Sequence, residues 1–145
     1  MAGDAQANLD FYAGVLGMRL VKKSVNQDDP GTYHLFYADG EGAPGSDLTF
    51  FPWGKDAARG STGAGMASEV ALAVSNGSLG FWHKRLEHYG INSTYETRFG
   101  EYALAFQDHR YTDLLTCEIY KALTLICFTI VLFLLYKKED TPYMQ

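Results

Sequence analysis

The four histidines are the side chains best able to hold a metal or move a proton in this 145-residue chain, and their spacing limits what they can do. His83 and His88 stand five apart on a predicted helix. Two ligands on one helical face want i, i+4 spacing, so both read as solvated surface residues. His109 and its neighbour Asp108 have no evident partner. His34 sits between Tyr33 and Leu35 on a predicted strand, with no histidine or carboxylate two positions away on either side. It reads either as a sheet histidine satisfied by one hydrogen bond or as a pocket residue facing a substrate ring. Metal binding would need partners that this strand does not supply. Tyr33, Tyr37, Phe51 and Trp53 form an aromatic set on neighbouring strands. Strand alternation puts Tyr33 with Tyr37 on one face, and Phe51 with Trp53 likewise. The set either lines a concave sheet face or forms core beneath the first helix. Tyr33, His34, Tyr37, Phe51 and Trp53 are therefore the candidate substrate-pocket residues. No residue is assigned a catalytic or metal-ligating role.

Other chemistries are excluded more simply. A net charge of −5, with no cluster of Lys or Arg longer than two, leaves no basic face for nucleic acid. The Gly60–Gly65 run lacks the lysine of a phosphate cradle and reads as a linker. The two cysteines, Cys117 and Cys127, would lie about 15 Å apart on one helix, too far for a disulfide. With a polar start, Met-Ala-Gly-Asp-Ala-Gln, lacking a signal-peptide core, they point to a reducing, cytoplasmic setting.

These residues must be positioned by short elements. Asp4 is a predicted N-cap for a helix over Ala5–Leu16, with Leu9, Tyr12, Val15 and Leu16 as its apolar stripe, and Gly17 ends it. Strands are predicted over Met18–Val25, Tyr33–Tyr37 and Leu48–Trp53, separated by the turn residues Asn26–Gly31 and Asp39–Gly45. A strand over Glu69–Val74 leads to a second helix, Leu79–Tyr89, capped by Ser78 and ended by Gly90. Strands over Ser93–Arg98 and Tyr102–Phe106 follow.

The two helices repeat. Leu9-x-Phe11-Tyr12-x-x-x-Leu16 matches Leu79-x-Phe81-Trp82-x-x-x-Leu86 at an offset of 70 residues. The unit is strand–helix–strand–strand–strand, and the first copy lacks its leading strand. The fold class is thus α+β, as two partial βαβββ modules over residues 1–59 and 66–109, incomplete at both ends. A tail, 110–145, follows. All 15 glycines lie between Gly3 and Gly100, which marks the boundary near residue 109. Ala122–Tyr136 carries no charge. A helix of that length spans only about 22 Å against about 30 Å of hydrocarbon, so a membrane anchor would need residues 114–136. The alternative is an extension foreign to the fold that packs against the exposed sheet as an apolar helix.

The tandem βαβββ arrangement is similar to the vicinal oxygen chelate superfamily of glyoxalases, bleomycin-resistance proteins and extradiol dioxygenases. Three stretches more closely resemble the start of the ring-cleaving dioxygenases of the hydroquinone type: Asn8–Lys23, Val25–Leu35 and Leu48–Trp53. The resemblance covers about residues 2–108. It implies a mononuclear iron(II) or manganese(II) held by two His and one Glu, a facial set that leaves positions open for substrate and oxygen. In that family the first His precedes the matching region and the others follow it, so no position here inherits a ligand role. Glu118 stands about three residues too far along to match the metal-binding Glu of related modules. The resemblance therefore implies a truncated relative of these enzymes, without metal or activity of its own. The rival expectation is a non-enzymatic module that binds a small aromatic ligand. In either case a second copy or a partner chain would complete the sheet.

Overall fold

The computed structural model describes residues 3–54, 56, 69–98, 100–108 and 113–119. The Gly60–Gly65 run, His109 and the apolar stretch 122–136 lie outside them.

The first helix begins as read. Asp4 has extended backbone, and its carboxylate accepts from the Gln6 amide at 2.8 Å, satisfying one of the donors that every helix start leaves open. Helix α1 (Ala5–Leu9) then runs without a break into a π-helical turn, Asp10–Val15. Gly17 closes it at φ +72°, a conformation that a side chain would strain. Phe11, Tyr12, Val15 and Leu16 are buried as expected of the apolar stripe, and so is Asn8. In the second helix, α2 (Leu79–His88), Leu86 is buried like its counterpart Leu16, but Phe81 is exposed where Phe11 is buried. Neighbours on a regular helix diverge by about 100°. The π turn of the first helix is where that rule relaxes and both Phe11 and Tyr12 face inward. Ser78 occupies the cap position of α2 but does not cap it, because its hydroxyl donates back to the Ser75 carbonyl at 2.5 Å.

Strands β1 (Arg19–Val25), β2 (Tyr33–Ala38) and β3 (Leu48–Phe50) form an antiparallel sheet in that order, with a register shift in β1 at Val21. Strands β4 (Glu69–Ser75), β5 (Ser93–Arg98), β6 (Glu101–Gln107) and β7 (Asp113–Ile119) form the second sheet in the order β4-β7-β6-β5. There β4 runs parallel to β7, and the other pairs are antiparallel. The α+β class and the tandem modules stand. Two expectations are corrected by β7. The second module is not open at its C-terminal end, because β7 supplies the last strand from beyond the boundary placed at residue 109. Residues 114–119, counted toward a membrane anchor, are sheet backbone, paired with both β4 and β6 over 114–117 and with β4 alone at 118 and 119. Among the described residues no helix is long and apolar enough to cross a membrane.

Alternation aims Leu35 and Tyr37 of β2, Leu104 and Phe106 of β6, and Val70, Leu72 and Val74 of β4 at the helices, where they join Phe11, Tyr12, Val15, Leu16, Leu79 and Leu86 in one cluster. The modules thus share a core. Arg85 fastens them from the rim. Its Nε and Nη2 donate to the carbonyls of Val15 and Gly14 at 2.6 and 2.9 Å, so a cation from α2 satisfies the open C-terminal carbonyls of the first helix. Arg85→Ala is expected to cost about 1–3 kcal/mol in urea unfolding, the usual range for hydrogen bonds made by a charged group. Arg85→Lys should recover only part of this, since a point charge cannot hold both carbonyls at once.

Candidate functional site

The two faces of the first sheet have different characters. On the helix side, Leu35 and Tyr37 are buried. The opposite face carries His34, Phe36, Thr49 and Phe51, with Ser24 paired to His34 and Lys22 paired to Phe36 across β1 and β2. His34 is sandwiched there. Its ring centroid lies 4.1 Å from Phe51 in a stacked arrangement and 4.0 Å from Phe36 in a tilted one. The Lys22 ammonium stands 5.2 Å over the Phe36 ring. The Nε2 of His34 is buried and has no hydrogen-bond partner among the described residues. A buried polar atom without a partner costs about 1–3 kcal/mol, which a ligand hydroxyl or a water would recover.

The five residues expected to line the pocket are therefore divided. His34 and Phe51 come together on the face opposite Leu35 and Tyr37. Tyr37 belongs to the core beneath the first helix: it has no exposed surface, and its hydroxyl donates to Asn8 Oδ1 at 2.9 Å. Burial, and then the charge of Asp10, push its phenol up to about 12, so it stays a donor. Tyr33 lies on the core-side register but is half exposed, with the Lys23 ammonium 3.8 Å over its ring. Trp53 is exposed after β3. Phe36 was missed, although the signal was present: it is two residues from His34, so the alternation that separates Tyr33 and Tyr37 from His34 places Phe36 beside it. Asn8 carried no signal, being a polar residue on a helix whose stripe was read from apolar side chains alone.

The other histidines behave differently. His83 is half-buried and not the free surface residue expected, since its Nδ1 and the Ser93 hydroxyl are 2.8 Å apart and its ring packs 5.1 Å from Tyr95. His88 is exposed and meets Tyr89 edge-on at 5.3 Å. Among the described residues no three His, Cys, Asp or Glu side chains lie close enough together to hold a metal. The donor set of the described residues does not fit iron(II) or manganese(II).

A flat apolar sandwich, an imidazole with an unmatched nitrogen and a nearby ammonium suit a small electron-rich ring bearing a hydroxyl. A profile of the Glyoxalase/Bleomycin resistance protein/Dioxygenase superfamily matches residues 1–112. The chain belongs to this superfamily. Within it, the chain is 48% identical over 108 residues to MhqO of Bacillus subtilis strain 168, which bears the name of a ring-cleaving dioxygenase. That match covers 74% of this chain and 34% of MhqO. It is 35% identical over 107 residues to the chlorohydroquinone/hydroquinone 1,2-dioxygenase of Sphingobium indicum, covering 72% of this chain and 33% of that one. A crystal structure of a Bacillus subtilis protein named as a dioxygenase superposes with a TM-score of 0.78 at 46% identity, over 81% of this chain and 38% of the other. The chain spans about a third of the length of the curated relatives it matches.

Proposed function

We propose that this chain is the ring-holding part of a ring-cleaving dioxygenase of the hydroquinone type, and that alone it binds a small hydroxylated aromatic without turning it over. The observation that carries this reading is the His34 sandwich between Phe36 and Phe51 on the sheet face opposite Leu35 and Tyr37. The relatives named for ring cleavage support the choice of ligand.

Equilibrium dialysis of hydroquinone against the metal-free chain is expected to show saturable binding. Phe51→Ala should weaken it about three- to tenfold, the value of one lost stacking contact. An oxygen electrode supplies the second arm. After anaerobic loading with iron(II), the chain should consume no oxygen with hydroquinone. Turnover would overturn the non-catalytic half of the reading and leave the binding half standing.

A further inference from the structure

Resting on the reading of the His34 face as an aromatic site, we propose that the ring seated there carries a carboxylate and that Lys22 is the residue that selects it. The repeat supplies an internal control. Leu35 and Tyr37 of β2 correspond to Leu104 and Phe106 of β6, the residues that each strand gives to the core. His34 therefore corresponds to Ala103, and Phe36 to Ala105. On the neighbouring strand, Lys22 pairs with Phe36 where Thr94 pairs with Ala105, and Ser24 pairs with His34 where Glu96 pairs with Ala103. The same module is thus built with two alanines and a threonine where the first sheet has an imidazole, a phenyl ring and an ammonium. Sheet packing does not demand the larger groups.

The charges differ in the same way. On the second sheet the acid is built in: the Glu96 carboxylate lies 2.7 Å from the Arg98 guanidinium, and that of Glu69 lies 3.9 Å from it. On the first sheet Ser24 takes the place of Glu96, and among the described residues no carboxylate stands within ion-pair distance of Lys22. The exposed Lys22 ammonium lies 5.2 Å over the Phe36 ring, and the same ring lies 4.0 Å from the His34 imidazole. One phenyl ring therefore adjoins both a buried nitrogen without a hydrogen-bond partner among the described residues and a cation without an anion. A single aromatic ligand serves both when it offers a hydroxyl to Nε2 and an acid group to Nζ. Stacking against Phe36 and Phe51 accepts a ring of either kind, so the charge is what the lysine reads. A carboxylate matches it through charge-assisted hydrogen bonds, and a rotatable point charge on a flexible stem can follow that group along the ring edge.

The probes are gentisate, a hydroquinone bearing a carboxylate, and hydroquinone itself, each dialysed to equilibrium against the full chain. Gentisate is expected to bind about three- to fivefold more tightly at low salt, the value of one ion pair at a surface. That preference should fade as salt is raised. Lys22→Met should remove the preference, and Lys22→Arg should keep it, since either cation pairs with the acid and a methionine of similar length does not. A lysine that only supported the Phe36 ring would, on removal, weaken both ligands alike and leave their ratio unchanged. The proposal is overturned if the unaltered chain shows no preference, or if the preference survives Lys22→Met. Binding of hydroquinone without a preference sinks the selection by Lys22 alone. Failure to bind either ligand removes the aromatic site, and the selection with it.

Discussion

Replacing Leu86 with alanine is expected to lower the unfolding free energy by about 2–5 kcal/mol, the range for deleting a fully buried leucine where the surroundings cannot collapse into the gap. Leu86 has no exposed surface and is the deepest residue that α2 contributes to the shared core. Its amphipathic helix is ten residues long, too short to be stable in water on its own account. Packing through Leu86 and Leu79 must supply what helix propensity does not. The urea midpoint should fall with the slope unchanged. If the modules had separate cores, Leu86→Ala would give two transitions, with only the one belonging to residues 69–119 shifted.

The second large effect is expected at Tyr12, where two substitutions separate two contributions. Tyr12 is fully buried, packs 4.3 Å from Phe50, 5.5 Å from Tyr37 and 5.1 Å from Phe11, and donates its hydroxyl to the buried carboxylate of Asp108 at 3.0 Å. Burial, followed by the charge of Asp108, pushes its phenol far above the usual range, so it remains a donor at every pH the protein tolerates. Tyr12→Phe keeps the ring and removes one donor from a buried carboxylate, at about 1–3 kcal/mol. Tyr12→Ala removes the ring as well and is expected to cost about 3–5 kcal/mol. Because the hydroxyl reaches from the first helix to the end of β6, both substitutions should destabilise the two modules together. Equal losses from the two variants would mean that the ring contributes nothing, contrary to the packing described.

Some of this organisation was legible in the residues themselves. Helix ends follow local chemistry: Asp4 opens the first helix, and Gly17 and Gly90 close the two helices at positive φ. The repeated Leu16 and Leu86 mark the shared core because a buried leucine at a fixed helical offset has few other uses. What was hidden has physical reasons too. The period of two in Asp113–Ile119 is masked by the adjoining leucines and by the apolar run that follows it, so a strand reads as the start of a helix. Ser78 has the right type for a cap, but its hydroxyl finds a nearer acceptor in the Ser75 carbonyl. For the candidate site, composition supplied the aromatic set but not its division between faces. Tyr37 and His34 are three residues apart on one strand, and only the position of the helix decides which of them faces the core.

The His34 face of the first sheet as the seat of an aromatic ligand is tested most directly by titrating hydroquinone into the chain labelled at its histidine rings and following them by NMR. The imidazole signals of His34 should move and saturate, while those of His83 and His88 stay in place, and Phe51→Ala should remove most of the response. No movement at His34 at concentrations where dialysis shows binding, or equal movement at all three rings, would contradict the assignment of the ligand to this face.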